Sequence, residues 1–527
     1  MNYADLFRVT LPETTLEVAA LVVLVVDLAF LRKAALKVRV AVAALLGVAG
    51  CGAALWAVQF QGYGGLGFGD SDEFFYLLGT TPSIAVAQAG ILILTALTLL
   101  LLIDSDFTTH VGEFVAVVLM AASGGLLIAG ALDLLVIFVG LELLSLGLYI
   151  LTAFAKSSGK SAEAALKYYL FGGMSAAFLL FGFSYLYGLS GSTDIYRIHE
   201  SIAKSGASPL LYVAWILIVA GLGFKIAAVP FHLWAPDTYE GAPASAAAFI
   251  ASVSKVASFA LLLTVSGKLL MPNGTMTGDR QIVEHFLSND YRAWQSLATI
   301  LLIVAAASMI VGNLAALAQV SVRRLLAYSA IAHAGYILLG IASQRAYSGE
   351  GSSVAFFAST IGPTFRSTDA VLYYILTYGL TIIGAFGVVA VVERATGSDR
   401  LDAFLGLHKR NPVLAAVLLV LFLSLAGIPP LVGFWAKFNL FAAVLGASAG
   451  PVPFALVALA VAFSAVSLYY YLQVLKRAYV MPAVDETPIK AHPVTLAVLV
   501  GIAAAVVGLG CFPALLQGWI ESFYPAM

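Results

Sequence analysis

Lys167, Lys225, Lys255 and Lys437 each fall inside a long apolar run, as does one carboxylate, Glu142, in the stretch LLVIFVGLELLSLGLYIL. A lysine held at the centre of a membrane helix costs about 2.5 to 3.5 kcal/mol, so four isolated ones would cost on the order of 10 kcal/mol. Groups placed at such expense point to chemistry. Burial and mutual attraction act in opposite senses on a lysine and a carboxylate, and coupled groups titrate as a set, so that moving one proton biases the next. A chain of Glu142, Lys225, Lys255 and Lys437 is therefore a candidate proton relay. Lysine stands where a sodium site would want clustered oxygen ligands, which favours protons over a bound metal ion. His232, just after Pro230, and His333, in SAIAHAGYILLG, could extend the relay, hold water, or only satisfy a helix contact. Lys167 lies near the start of its apolar run, where snorkelling to the interface is an equal reading.

Other chemistries find no support in the residue pattern. There is no Ser/His/Asp array, metal-ligand cluster or phosphate loop, and GYGGLG (Gly62 to Gly67) lacks the strand and helix of a dinucleotide fingerprint. Cys51 and Cys511 both lie in expected spans with no metal or redox spacing and read as lipid-buried structural thiols. Asp133 precedes Glu142 near the expected membrane surface, and Asp27 and Asp104 fall at span ends, where solvation is the ordinary explanation.

The elements that must position the lysines are membrane helices. Hydrophobic residues make up 61% of the chain and charged residues 10%, against roughly 25% charged residues in a soluble domain. About fourteen apolar runs are long enough to cross the ~30 Å hydrocarbon core. The first, from about Leu11 to Leu31, has no small-residue cleavage site after a basic start and reads as a retained helix. With the N-terminus outside and the spans alternating, fifteen basic residues fall in cytoplasmic segments and eight in outer ones. That bias places both termini on the outer side. The remaining four basic residues are the lysines named above.

Two spans carry breaks. The stretch GIPPLVGFWAKF (Gly427 to Phe438) sets Pro429 and Pro430 inside apolar sequence, and VPFHLWA (Val229 to Ala235) does the same with Pro230. Proline removes a backbone donor, and irregular backbone survives at membrane depth only when buried in protein or lining a hydrated cavity. The two stretches align if two residues are inserted. EAALKYYLFGGMS (Glu163 to Ser175) and DAVLYYILTYGLT (Asp369 to Thr381) align at nearly the same offset. Spans 4 to 8 and 9 to 13 are then copies, and an odd number of spans per copy makes them enter the membrane from opposite sides. Such inverted repeats place ion sites at discontinuous helices near the midplane. The expected organisation is three helices over 1-104, a first five-helix repeat over 110-268, a second over 293-480, and a last helix over 490-527.

The motifs LPETTLEVAALVVLVVDL, GLELLSLGLYILTAF, ALKYYLFGGMSA, GFKIAAVPFHLWAPDTYEGAP, SVRRLLAYSAIAHAGYILLG and GIPPLVGFWAKF, in that order, resemble the antiporter-like membrane subunits of respiratory complex I, the proton-pumping NADH:quinone oxidoreductase, and within them subunit N. The resemblance spans essentially the whole chain. It implies an all-α polytopic fold of fourteen helices with broken helices 7 and 12. It also implies no redox cofactor in this chain, with NADH, FMN, iron–sulfur clusters and quinone held by partner subunits of a bacterial inner-membrane complex. By position, Glu142 and Lys225 resemble the ion pair, Lys255 the central relay lysine and Lys437 the terminal lysine. Two features depart from the pattern: WAK before Phe438, where small residues are commoner, and a long outer segment around Ala346 to Ser367. A multisubunit cation/proton antiporter, which shares the fold, and an assembly scaffold are the competing readings.

Overall fold

A computed structural model describes residues 7–63, 77–79, 81–206, 208–270, 280–343, 367–447, 450–483 and 485–524, leaving aside the side chains of 59–63, 268–270 and 280–294. Nearly all of the long outer segment, and most of GYGGLG, lie outside the described residues. Three helices open the chain: α1 (Leu11–Val25), which runs into a π turn at Val26–Phe30, α2 (Leu36–Tyr63) and α3 (Pro82–Leu102). Next come α4 (Val111–Gly130), α5 (Leu134–Thr152), α6 (Gly159–Ser190), the short α7 (Ile195–Ser205), and the pair α8 (Pro209–Ile226) and α9 (Trp234–Gly241). A column of α10 (Ala244–Phe249), a π turn at Ile250–Ser254 and α11 (Lys255–Leu270) completes the first five-span unit. The second holds α12 (Arg280–Leu317), α13 (Val322–Ala342), α14 (Ser367–Thr396), the pair α15 (Pro412–Ala426) and α16 (Val432–Ala447), and α17 (Pro451–Tyr479). α18 (Pro493–Cys511) and the short α19 (Pro513–Glu521) come last.

Twelve helices among the described residues are long and apolar enough to cross a membrane. The first span, divided by its π turn, and the broken α15–α16 span bring the total to the expected fourteen. The chain is an all-α, multi-pass membrane protein. The sequence reading had no place for α7, which at 11 residues is too short to cross; its Ile195, Ile198 and Ile202 are buried against the bundle and Asp194 caps its first amides.

The repeat is visible in the hydrogen bonds. At the end of α6, Gly191 takes a left-handed φ of 72°, Ser190 Oγ donates to the Leu186 and Ser192 carbonyls, and Leu134 N and Ile195 N donate to Thr193 O and Leu132 O. At the end of α14, Gly397 has φ 71°, Thr396 Oγ1 donates to the Val392 and Ser398 carbonyls, and Val322 N and Leu401 N donate to Asp399 O and Val320 O. The same knot is tied twice, once in each unit. Backbone groups at span ends must be paired near the membrane, and this knot pairs them within a few residues.

Both breaks satisfy their freed backbone from protein. α8 ends at Ala227, left-handed at φ 57°, after which Val229 N donates to Ser308 Oγ at 2.9 Å and the Trp234 indole donates to the Phe224 carbonyl at 2.9 Å. α15 ends at Gly427, left-handed at φ 87°, and beyond the prolines Gly433 N donates to Ser424 Oγ at 3.2 Å. The peptide bonds before Pro230 and Pro430 are cis. Close helix packing relies on glycine at Gly433, where any Cβ would collide with the Ser424 carbonyl.

Two expectations need correction. Asp27 is not solvated: it is 2% exposed and accepts two bonds from Arg39, at 2.8 and 2.6 Å. The π turn at the end of α1 carries it toward α2, and Gly112 N donates to it as well, at 3.2 Å. Asp104 pairs with Arg394 at 2.6 Å. Of the two thiols, Cys51 is buried within the protein, whereas Cys511 is exposed at the end of α18.

Candidate functional site

Lys225, Lys255 and Lys437 are 6%, 2% and 5% exposed, so none of the three amines reaches the outer surface of the bundle. Each is held by neutral groups. Lys225, in the last turn of α8, donates to Ser145 Oγ on α5, and its ammonium lies 5.6 Å from the Tyr149 ring centroid and 5.4 Å from that of Phe224. Lys255 comes directly after the π turn, in a column whose membrane window is entirely buried, and donates to the Ala330 carbonyl of α13 at 2.7 Å. The extra residue of a π turn rotates the helix beyond it, which sets the direction of the Lys255 side chain. Lys437, in the second turn of α16, donates to the Ala426 carbonyl at 3.0 Å and to Ser464 Oγ at 2.8 Å. It therefore crosses its own break to take the last carbonyl of α15, where a helix presents about half a negative charge. Tyr336 lies beside it, with the ring centroid 5.4 Å from the ammonium.

His333 occupies the space between the last two lysines. It sits one turn beyond Ala330 on α13, its Nδ1 shares a hydrogen bond of 2.8 Å with the Tyr374 hydroxyl, and the charges of Lys437 and Lys255 both reach its ring. Around it Asn313 Nδ2 donates to Tyr336 Oη at 3.2 Å, Tyr470 Oη donates to Asn313 Oδ1 at 3.2 Å, and Ser329 and Tyr471 share a short hydroxyl bond. Lys255, His333, Tyr336 and Lys437 thus form one buried polar group across α11, α13 and α16.

Residues 131–278 and 281–464 match the family model described as NADH:quinone oxidoreductase/Mrp antiporter, TM. A relative from Acidobacterium capsulatum named NADH-quinone oxidoreductase subunit N 2 is 46% identical, and the match covers 99% of each chain. The chain belongs to the subunit N family of antiporter-like NADH-quinone oxidoreductase membrane subunits. A chain of respiratory complex I from Thermus thermophilus with bound aureothin is 33% identical and superposes with a TM-score of 0.72 over 96% of this chain and 98% of its own. The Mrp complex from a Dietzia species shares the fold, with a TM-score of 0.75 at 20% identity over 98% of this chain and 51% of that one.

The residues that the subunit N resemblance singles out sit in unlike surroundings. Glu142 is half-buried on α5, one turn before Ser145, and within electrostatic reach of Lys225. The two make no direct ion pair; Ser145 stands between the α5 backbone and the amine, donating its own hydroxyl proton to the Leu141 carbonyl. His232 is buried in the first break with its Nδ1 facing no protein partner among the described residues. Lys167 stands apart. It is 41% exposed and pairs with Glu163 and Asp237, both at 2.8 Å. Asp237 also pairs with Arg324 at 2.6 Å, and Arg324 with Glu240 at 3.1 Å. Beside this network the buried Arg323 bonds Glu393 at 2.7 Å, and a cavity of about 550 Å³ opens among Lys160, Ser245, Arg323, Glu393, Arg394 and Thr495.

The serines that receive the lysines are not marked by the sequence, since an isolated serine in an apolar helix carries no signal of its own. Glu13, which the sequence reading passed over, does carry one. It lies four residues before Glu17 in the first span, is 5% exposed, and accepts from Gln88 Nε2 at 3.4 Å, while Glu17 accepts from Ser123 Oγ at 3.2 Å.

Proposed function

We propose that the chain is a proton-translocating subunit of NADH:quinone oxidoreductase, moving protons through Glu142, Lys225, Lys255 and Lys437 as quinone is reduced elsewhere in the complex. One observation carries the reading: among the described residues the three deep amines are bonded only to hydroxyls and carbonyls, with no carboxylate within 4 Å, whereas Lys167 is clamped by two. An amine among neutral partners takes up or gives up a proton without breaking an ion pair, which is what a relay site must do. A change in the charge of Glu142 alters the proton affinity of Lys225, and through it that of Lys255 and Lys437, with hydrated half-channels reaching the two sides. His232 and His333 extend the path.

In this reading the partners are other membrane subunits of the complex, antiporter-like and small, together with the lipid bilayer. NADH, FMN, iron–sulfur clusters and quinone belong to other subunits of the assembly. The location is a bacterial inner membrane, with both termini on the outer side. Lys255→Ala in an assembled complex is expected to impair proton pumping linked to NADH oxidation; undiminished pumping per electron would sink the proposal. The family description also covers Mrp antiporters, and that alternative predicts sodium-dependent dye quenching without NADH or quinone. A scaffold without transport predicts that neutralising any of the four lysines is harmless once assembly is preserved.

A further inference from the structure

Among the described residues no protein hydrogen bond joins Lys225 and its Ser145 to the group around Lys255 and His333. The space between them is filled by aromatic rings from four elements. Tyr149 of α5 meets Tyr168 of α6 edge to face at 4.8 Å, and Tyr168 stacks on Trp234 at 4.2 Å. Trp234 meets Tyr239 of α9 at 6.3 Å, and Tyr378 of α14 lies 4.8 Å from the His333 ring. Tyr239 is within electrostatic range of Tyr168 on one side and of Tyr378 on the other.

The hydroxyls, not the rings, set this group apart. Tyr168, Tyr239 and Tyr378 are 0%, 0% and 5% exposed, and each phenolic oxygen is buried without a protein partner among the described residues. The tyrosines nearer Lys437 differ: Tyr336, Tyr374, Tyr470 and Tyr471 all have hydroxyls bonded to side chains. Leaving a buried hydroxyl unsatisfied costs about 1 to 3 kcal/mol, and phenylalanine would pack the same ring without that cost. Three such hydroxyls in succession call for small polar partners, a role that buried water commonly fills.

We propose that Tyr168, Tyr239 and Tyr378, bridged by internal water, carry protons laterally between Lys225 and the His333–Lys255 group. The inference rests on the proton-translocation reading above. At each step a phenolic oxygen accepts a proton from the water on one side and releases its own O–H proton to the water on the other. Only O–H bonds form and break, no electrons are transferred, and each tyrosine ends neutral. One proton is displaced along the row.

The test is Tyr168→Phe, Tyr239→Phe and Tyr378→Phe, made singly in the assembled complex and reconstituted in proteoliposomes. Tyr187→Phe, at a 54% exposed ring, serves as the neutral control. The rate of NADH-driven proton pumping is expected to fall about tenfold in Tyr239→Phe, the effect of ~1.4 kcal/mol on a barrier, with assembly and the control unchanged. Three Phe variants that pump normally beside a defective Lys255→Ala would overturn the tyrosine row and leave the relay standing. If Lys255→Ala also pumps normally, the underlying reading falls. Should a Phe variant fail to assemble, 3-fluorotyrosine at position 239 keeps the shape and makes the hydroxyl more acidic. A shifted pH profile of pumping supports the row, and an unmoved one overturns it.

Discussion

The two interrupted helices solve one backbone problem and place their charge differently. At the first break the lysine precedes the interruption, turns away to Ser145, and leaves the Phe224 carbonyl to the Ala227 amide and the Trp234 indole. At the second the lysine lies beyond the interruption and takes the freed Ala426 carbonyl itself. A duplicated break therefore does not imply a duplicated site. In the first half structure and charge are carried by different side chains, so Lys225 responds to Glu142 without holding the helix together. In the second half a single ammonium both closes the broken helix and, in the proposed relay, carries the proton.

Trp234 should show the largest structural effect. Trp234→Ala removes the ring stacked on Tyr168 and one of the two donors to the Phe224 carbonyl, leaving it the Ala227 amide at 3.0 Å. A loss of about 3 to 5 kcal/mol is expected, read as lost incorporation of the subunit or a lower unfolding temperature in detergent. Trp234→Phe keeps most of the packing and should lose only about 0.5 to 1.5 kcal/mol for the indole hydrogen bond, since the Ala227 amide still pairs the carbonyl. Equal effects from the two variants would mean that the indole bond does not hold the break.

The lysines sharpen the contrast. Lys437→Met strips the Ala426 carbonyl of its short bond, leaving only Ser464 Oγ at 3.5 Å, and should lose about 1 to 3 kcal/mol of stability along with pumping. Lys225→Met leaves no orphan, because Ser145 Oγ still bonds the Leu141 carbonyl. Replacing a buried charge by an apolar side chain of similar size is often neutral or stabilising, so this variant should pump poorly while unfolding at an unchanged or higher temperature. Matching stability losses in both variants would erase the proposed division of labour.

The left-handed residues offer a milder form of the same comparison. Gly427→Ala imposes a strained φ of about 1 to 2 kcal/mol and brings a Cβ within 3.0 Å of Lys437 Cδ, so stability and pumping should fall together. Ala227 already bears that strain at φ 57°. Ala227→Gly should be neutral to mildly stabilising, since relief of the side-chain clash is offset by the entropy glycine loses on folding. Thermal unfolding of the two variants side by side decides the point.

Much of this architecture was legible in the sequence because its signals are local. Apolar run length gives the spans, Pro230 and the Pro429–Pro430 pair give the breaks, and a lysine with apolar neighbours on both sides announces burial. The illegible part depends on packing across the chain. Ser145 lies 80 residues from Lys225, and Ala330 lies 75 from Lys255, so nothing near either lysine specifies its partner. The position of Asp27 at a span end suggests solvation and hides the π turn that brings it to Arg39. The tyrosines look like ordinary core aromatics until the hydroxyls of Tyr168, Tyr239 and Tyr378 are seen to have no protein partner among the described residues.

Lys167 supplies the smallest expected effect and the cleanest negative. It too falls in an apolar run, but near its start, and its ammonium is 41% exposed and locked between Glu163 and Asp237. Exposed ion pairs contribute about 0 to 1 kcal/mol, and Asp237 keeps Arg324 as a second partner after Lys167 is removed. Lys167→Ala should therefore leave assembly and pumping per electron near normal, while Lys225→Met in the same membranes does not. A large pumping defect in Lys167→Ala would show that the ion-pair network at the membrane face is part of the proton path, and that neutral surroundings are not what distinguishes a relay lysine.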